Sequence, residues 1–228
     1  MQINRFQTKE RALHEAREKL SSVLKNYSDN NSQILLLLSG GSATDIIRNF
    51  DWQNINDITV TTLDERYTRD ENNNYISLKK FLPDFIKTIP SIPKENESLE
   101  TFAERLNNNL YNWIKENKKG KIVTTMGIGP DSHTSGILPI SDKETEKIMN
   151  DTERFIVGYK TEKSEHKMRA TTNFTFLKII DNAIVFLSDG DKKSKAWNNV
   201  ISKKGNLNET PARIINEIKG EVFVFMDF

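Results

Sequence analysis

Five consecutive apolar residues, Ile34-Leu35-Leu36-Leu37-Leu38, run without a polar interruption into Ser39-Gly40-Gly41-Ser42. A run this short with no period-two alternation suits a strand buried on both faces, which is the strand type of parallel sheets covered by helices on each side. The serine–glycine stretch breaks the strand, and 44–50 reads as a short helix beginning after it. The pattern recurs along the chain. The strand-like Ile58–Leu63 runs into Asp64-Glu65-Arg66, and Lys121–Met126 ends at Gly127-Ile128-Gly129. Further strands are expected over 155–159, 183–187 and 222–226.

Helices are expected between them. Thr8 precedes Leu13, Ala16, Leu20, Val23, Leu24 and Tyr27, apolar positions at helical spacing, so 9–27 reads as an N-capped amphipathic helix. Further helices are expected over 75–81, 99–113, 192–201 and 210–218. Alternating strands and helices with glycine-rich strand ends predict an α/β fold, a single domain over 1–228 with a mostly parallel, Rossmann-like sheet and helices on both faces. No linker of disordered composition and no internal repeat divides the chain. Asn72-Asn73-Asn74 and 116–120 read as solvated loops.

The 228 residues include no cysteine, which excludes disulfides, thiolate metal sites and a cysteine nucleophile together. Thirty-three Lys and Arg against 32 Asp and Glu leave a net charge of +1, so no overall field favours nucleic acid or a membrane surface. The amino terminus lacks a signal-like apolar core, and Ile34–Leu38 is far too short to span a bilayer. The expectation is a cytoplasmic protein that binds a small molecule, with no nucleic acid, no membrane, and a monomeric or weakly dimeric state.

In open parallel sheets ligands bind beyond the carboxyl ends of the strands. The unusual segments Ser39–Ser42, Asp64–Arg66, Gly127–His133 and Ser188–Lys193 all fall at such ends. Gly40, Gly41 and Ser42 supply backbone N–H groups suited to an anion, or simply make a tight turn; the Gly-Lys-Ser/Thr ending of a Walker loop is missing. Gly127-Ile128-Gly129-Pro130-Asp131-Ser132 imitates a dinucleotide fingerprint, but serine takes the third glycine's place and Pro130 and Pro139 leave no room for the helix a pyrophosphate needs. No cofactor is expected. Of three histidines, His14 and His166 read as surface residues, and His133, beside Asp131 at a strand end, is the candidate general base. Asp131 and His133 lack a visible third ligand, so no metal is expected. In isolation Arg169 and Lys193 read as surface cations, and Asp64-Glu65-Arg66 as an exposed ion-pair cluster.

Taken in order, these segments resemble the 6-phosphogluconolactonase family, which is related to glucosamine-6-phosphate deaminases of the same α/β fold. The family's Ser-Gly-Gly-Ser loop corresponds to Ser39–Ser42 and its Asp-Glu-Arg to Asp64–Arg66. Its Gly-x-Gly-x-Asp-Gly-His-Thr falls on Gly127–Thr134, its Arg-x-Thr on Arg169–Thr171 and its Gly-x-x-Lys on Gly190–Lys193. Pro211-Ala212 precede a last strand and Asp227. The chain departs from the pattern at Ala43, at Ser132 (usually Gly), at Ser135-Gly136 (usually Ala-Ser), at Thr172-Asn173 (usually Leu-Thr), and in a short loop after Arg66.

The resemblance implies hydrolysis of 6-phospho-D-glucono-1,5-lactone to 6-phosphogluconate, a step of the pentose phosphate pathway, with a phosphosugar lactone as the partner molecule. His133 would deprotonate water with help from Asp131. The Gly40–Ser42 turn, with Gly127 and Gly129, would lie near the lactone oxygens, and Asp64 would line the site. Arg169, Lys193 and Arg66 would hold the phosphate. Rival readings are an isomerising deaminase, a phosphosugar-sensing module and a relative that has lost activity. The deaminases continue Asp-Gly-His-Ile-Ala-Phe-Asn-Glu-Pro, and their glutamate falls on Leu138 here. Glu65 and Glu144 are the carboxylates considered as its replacement.

Overall fold

The computed structural model of the chain describes residues 1–202 and 205–228. Among these, seven parallel strands make the main sheet: β1 (Gln2–Arg5), β2 (Ile34–Leu38), β3 (Ile58–Thr62), β5 (Lys87–Thr88), β6 (Lys121–Met126), β9 (Asn182–Leu187) and β10 (Glu221–Met226), in the spatial order β1-β10-β9-β6-β2-β3-β5. A second, antiparallel sheet orders β4 (Asp64–Arg66), β8 (Met168–Thr172) and β7 (Ile156–Lys160) as β4-β8-β7. The helices are α1 (Lys9–Asp29), α2 (Asn74–Lys79), α3 (Leu99–Glu116), α4 (Lys143–Met149), α5 (Phe174–Leu177) and α6 (Gly190–Ile201).

The expected α/β fold, with helices on both faces of the sheet, is the fold observed, and β2 explains why. Ile34, Leu36 and Leu38 enter one core with Ala12, Ala16 and Leu20 of α1, while Leu35 and Leu37 enter the other with Phe102 and Leu106 of α3. The same alternation divides β9, where Ile184 and Phe186 face the α1 side and Ala183, Val185 and Leu187 the other. Ile34–Leu38 and residues 183–187 are therefore apolar without interruption because both faces are covered. Thr8 caps α1 by accepting from Arg11 N–H at 3.2 Å, as its sequence position predicts.

Other expectations need correction. The helix expected over 44–50 is a 3₁₀ turn, Gly41–Ile46, starting at the glycine pair itself, and 210–218 is likewise a 3₁₀ turn, Pro211–Asn216. The strand expected at 155–159 is β7, which belongs to the small antiparallel sheet. Of Asn72–Asn74 only Asn72 is solvated, since Asn73 is fully buried and Asn74 nearly so. Their side chains replace backbone partners: Asn73 Oδ1 accepts from Ile76 N–H at 3.0 Å to cap α2, and Asn73 Nδ2 donates to Ser91 O at 3.1 Å. Asp64-Glu65-Arg66 is not an exposed ion-pair cluster either. It forms β4, with Asp64 and Glu65 buried.

The chain order sets where a ligand fits. From β2 the sheet grows one way through β3 and β5; from β6 it grows the other way through β9 and β10. β2 and β6 are direct neighbours, so their carboxyl ends flank the crevice where the winding reverses.

Candidate active site

A cavity of about 400 Å³ opens at that reversal. The turn after β2 contributes Gly40, Gly41 and Ser42, and the turn after β6 contributes Gly127 and Gly129. The two turns touch: a Cβ built on Gly127 would stand 3.9 Å from Ser42 Oγ. Asp64, Arg66, His133, Arg169 and Lys193 complete the set expected from sequence. Asp131 does not itself line the cavity; it contacts His133, which does.

The loop carrying His133 is fixed at several points. Gly129 N–H donates to His133 O at 2.9 Å, Ser132 N–H donates to Gly129 O at 2.9 Å, and Thr134 Oγ1 donates to Gly127 O at 2.8 Å. Ala212 N–H donates to Ser132 O at 2.9 Å, which ties the Pro211–Ala212 segment to the loop. Ser132 adopts a φ of +69°, the left-handed conformation that its glycine-like position requires. Gly129 allows the imidazole to lie against the backbone, because a Cβ there would fall 2.2 Å from His133 Nδ1.

Within this frame Asp131 Oδ1 meets His133 Nδ1 at 2.5 Å and accepts from His133 N–H at 3.2 Å. Burial works against the Asp131 charge, but the hydrogen bonds and charge of His133 outweigh it, and the carboxyl sits below its ordinary value. A carboxylate on Nδ1 fixes the tautomer that leaves Nε2 as the proton acceptor. Gly129 N–H is already paired with His133 O, so it is not free to meet a substrate oxygen.

The small sheet forms the opposite, cationic wall. Arg66 and Arg169 pair directly across β4 and β8, so both side chains leave the same face. Arg169 Nη1 lies 3.7 Å from Asp64 Oδ2, and its Nη2 donates to Ser164 Oγ at 2.9 Å. Arg66 Nη1 donates to Asn72 O at 3.1 Å. The Nε atoms of both arginines are buried with no hydrogen-bond partner. Burial raises the pKa of Asp64, against the lowering effects of Arg169, His133 and Arg66. Lys193 stands apart from this wall: its Nζ donates to Ser42 Oγ at 3.3 Å, and burial lowers its pKa despite Asp189 and Asp227. Neither Arg169 nor Lys193 is the freely solvated cation it resembles in isolation.

Sequence reasoning missed several residues that line the cavity. Asn74 donates to Asp64 O at 2.9 Å. Ser135 is 3% exposed, and its Oγ lacks a partner. Gly136, at φ +70°, lets Asp64 approach, since a Cβ there would fall 2.7 Å from Asp64 Oδ2. His166 was expected at the surface and instead lines the cavity, half-buried, with Ser164 and Glu165. His14 is exposed, as expected. The signals for the first three were visible as departures or as an Asn run, but polar residues buried by distant strands leave no local periodicity. Among the described residues, no group of three or more His, Asp or Glu side chains is placed to hold a metal ion.

Known proteins resemble this chain in sequence and in fold. A curated protein of Dictyostelium discoideum described as a probable 6-phosphogluconolactonase is 28% identical over 239 residues, covering 94% of each chain. The crystal structure of a 6-phosphogluconolactonase from Shewanella baltica superposes with a TM-score of 0.82 at 17% identity, over 99% of this chain and 96% of that one. The 6-phosphogluconolactonase of Plasmodium vivax gives 0.79 at 16% identity, over 98% and 90%. At such identities the structures establish a common fold. The match that reaches further is to the family described as glucosamine-6-phosphate isomerases/6-phosphogluconolactonase, whose model spans residues 7–224; with nearly the whole chain inside it, this protein belongs to that family.

Proposed function

We propose that the protein hydrolyses 6-phospho-D-glucono-1,5-lactone to 6-phosphogluconate. The observation that carries this reading is one cavity with a carboxylate-oriented imidazole on one side and two arginines with unpartnered, buried Nε atoms on the other. A lactone is an activated ester, so the reaction needs a base for water and donors for the developing oxyanion. His133 Nε2 takes a proton from water as the oxygen attacks the lactone carbonyl. The Gly40–Ser42 turn supports the negative oxygen of the tetrahedral intermediate. As the intermediate collapses, the ring C–O bond breaks and the imidazolium returns the proton to the departing ring oxygen. Asp131 holds the ring in place and favours its charged form in between. Arg66 and Arg169 take the phosphate end, and Lys193 the part of the sugar that meets Ser42.

The alternative reaction of the family, deamination with ring opening, calls for a carboxylate that works with the histidine. Leu138 occupies that position and is packed in the core. Glu65 is held by α2, and Glu144 lies exposed on α4. The test is to supply freshly made lactone, follow proton release corrected for spontaneous hydrolysis, and assay ammonia from glucosamine 6-phosphate in parallel. Turnover of the lactone is expected. Turnover of the amino sugar with none on the lactone reverses the assignment.

A further inference from the structure

The tip of the β7–β8 hairpin brings a second histidine to the cavity. Thr161 N–H donates to Lys167 O at 2.8 Å and closes the hairpin, and Ser164, Glu165 and His166 line the same cavity as Arg66 and Arg169. Ser164 Oγ accepts both from Arg169 Nη2 at 2.9 Å and from His166 N–H at 3.3 Å. One hydroxyl thus joins the histidine's backbone to the arginine's guanidinium.

The wall beside it is electrostatically incomplete. Arg66 and Arg169 stand directly opposite each other on two strands, an arrangement that is unfavourable for like charges. Asp64 offsets part of this from 3.7 Å, yet both Nε donors stay buried and unpaired. A buried donor without a partner is costly, and a ligand with several acceptor oxygens recovers that cost. The charged groups facing His166 are Arg66 on β4, Arg169 on β8, Asp70 in the loop beyond β4, and its neighbour Glu165. Burial first, then the two arginines, hold the imidazole below its ordinary value against the two acids. This balance favours the neutral ring.

We propose that His166 is the proton-linked third member of the anion site, taking one proton from solvent when a doubly charged phosphomonoester settles between Arg66 and Arg169. The dianion cancels the arginine part of what holds the ring neutral and supplies an acceptor for its new N–H. By linkage, the ligand raises the proton affinity of His166 as much as protonation tightens the ligand. His166 is on this account a positioning and specificity residue for the charged end of the substrate, with no part in the proton transfers at the lactone. The proposal rests on the phosphosugar reading above.

The test follows the imidazole Cε1 resonances of the intact protein by NMR from pH 5 to pH 8.5, assigned with His166→Asn. Spectra are taken free, with saturating 6-phosphogluconate, and with gluconate. The His166 inflection is expected to rise by about one unit or more with 6-phosphogluconate, and to stay in place with gluconate. Correspondingly, His166→Asn is expected to bind 6-phosphogluconate about tenfold more weakly than the wild type at pH 6 and about equally at pH 8.5. Binding of 6-phosphogluconate with an unmoved His166 inflection, or a variant weakened equally at both pH values, overturns the proposal and leaves the reaction standing. No binding of 6-phosphogluconate at all overturns the substrate assignment and this proposal with it.

Discussion

His133 and Ser132 are adjacent, and each answers a different demand of the same turn. Replacing His133 by alanine removes the acceptor and leaves Asp131, the loop bonds and the arginine wall in place. We expect lactone hydrolysis to fall roughly 100-fold or more, the scale of a positioned general base, with the melting temperature little changed. The wild-type rate is also expected to fall on acidification, because only neutral imidazole accepts a proton. Stopped-flow proton release on the two proteins checks both. A variant that is folded and near full turnover would remove His133 from the mechanism. Ser132 carries the opposite cost. Its φ of +69° is unfavourable for any residue with a Cβ, by roughly 1–2 kcal/mol, while glycine loses about 0.5–1 kcal/mol more chain entropy on folding. Ser132→Gly should therefore stabilise the protein by roughly 0.5–1 kcal/mol, seen as a melting temperature higher by about 1–4 °C. A lower melting temperature would mean that the serine side chain contributes more than its backbone costs.

At the scale of elements, most of the parallel sheet was legible: β2, β9 and β10 are short, mainly apolar runs, β3 and β6 are rich in β-branched residues, and β2 and β6 end in glycine turns. Of the small antiparallel sheet only β7 was. β4 is three residues long and charged, and β8 reads Met-Arg-Ala-Thr-Thr, so their burial comes from packing against each other rather than from composition. That omission hid the relation between Arg66 and Arg169, which sequence places about a hundred residues apart and β4–β8 pairing places opposite each other. The site was more legible than the elements that build it: its cations and histidine could be named, while Asn74, Ser135 and His166 could not. The pairing also separates Arg169 from Lys193. Arg169→Ala and Lys193→Ala should each raise KM by ~10–150-fold, the loss of one charge-assisted contact of about 1.5–3 kcal/mol. Only Arg169→Ala should lose its effect when unphosphorylated gluconolactone replaces the phosphorylated substrate. Equal responses of the two variants to both lactones would place the phosphate elsewhere.

For the whole molecule, the junction of the two sheets determines how stability depends on pH. Leu63 leaves β3 and β4 begins, and Glu65 turns inward to receive N–H donors from Asn74 at 2.6 Å and Tyr75 at 3.0 Å at the start of α2, with Ser91 Oγ donating at 3.0 Å. At 1% exposure, burial pushes its carboxyl from 4.5 up to about 8, against those donors. Asp64, next in the chain, is raised for the same first reason. A raised carboxyl pKa means that the folded state holds its proton more tightly than the unfolded chain. The stabilising contribution is complete below the unfolded pKa of 4.5 and is lost as pH rises toward about 8. The carboxyls held low, Glu97 by its hydrogen bond to Arg105 and Asp142 by Thr145 N–H, act in the other sense and lose their contribution on acidification. The two trends meet near the unfolded carboxyl values of 3.8 to 4.5, so the melting temperature should peak at about pH 4–5 and decline toward pH 8. Glu65→Gln keeps an acceptor for the α2 donors but has no charge to bury, and should flatten the decline above the peak while leaving the acid limb unchanged. Scanning calorimetry of both proteins across this range decides it: a wild type whose stability climbs steadily to pH 8, or a variant with the same alkaline decline, would mean that Glu65 is ionised at no cost in its place beneath α2.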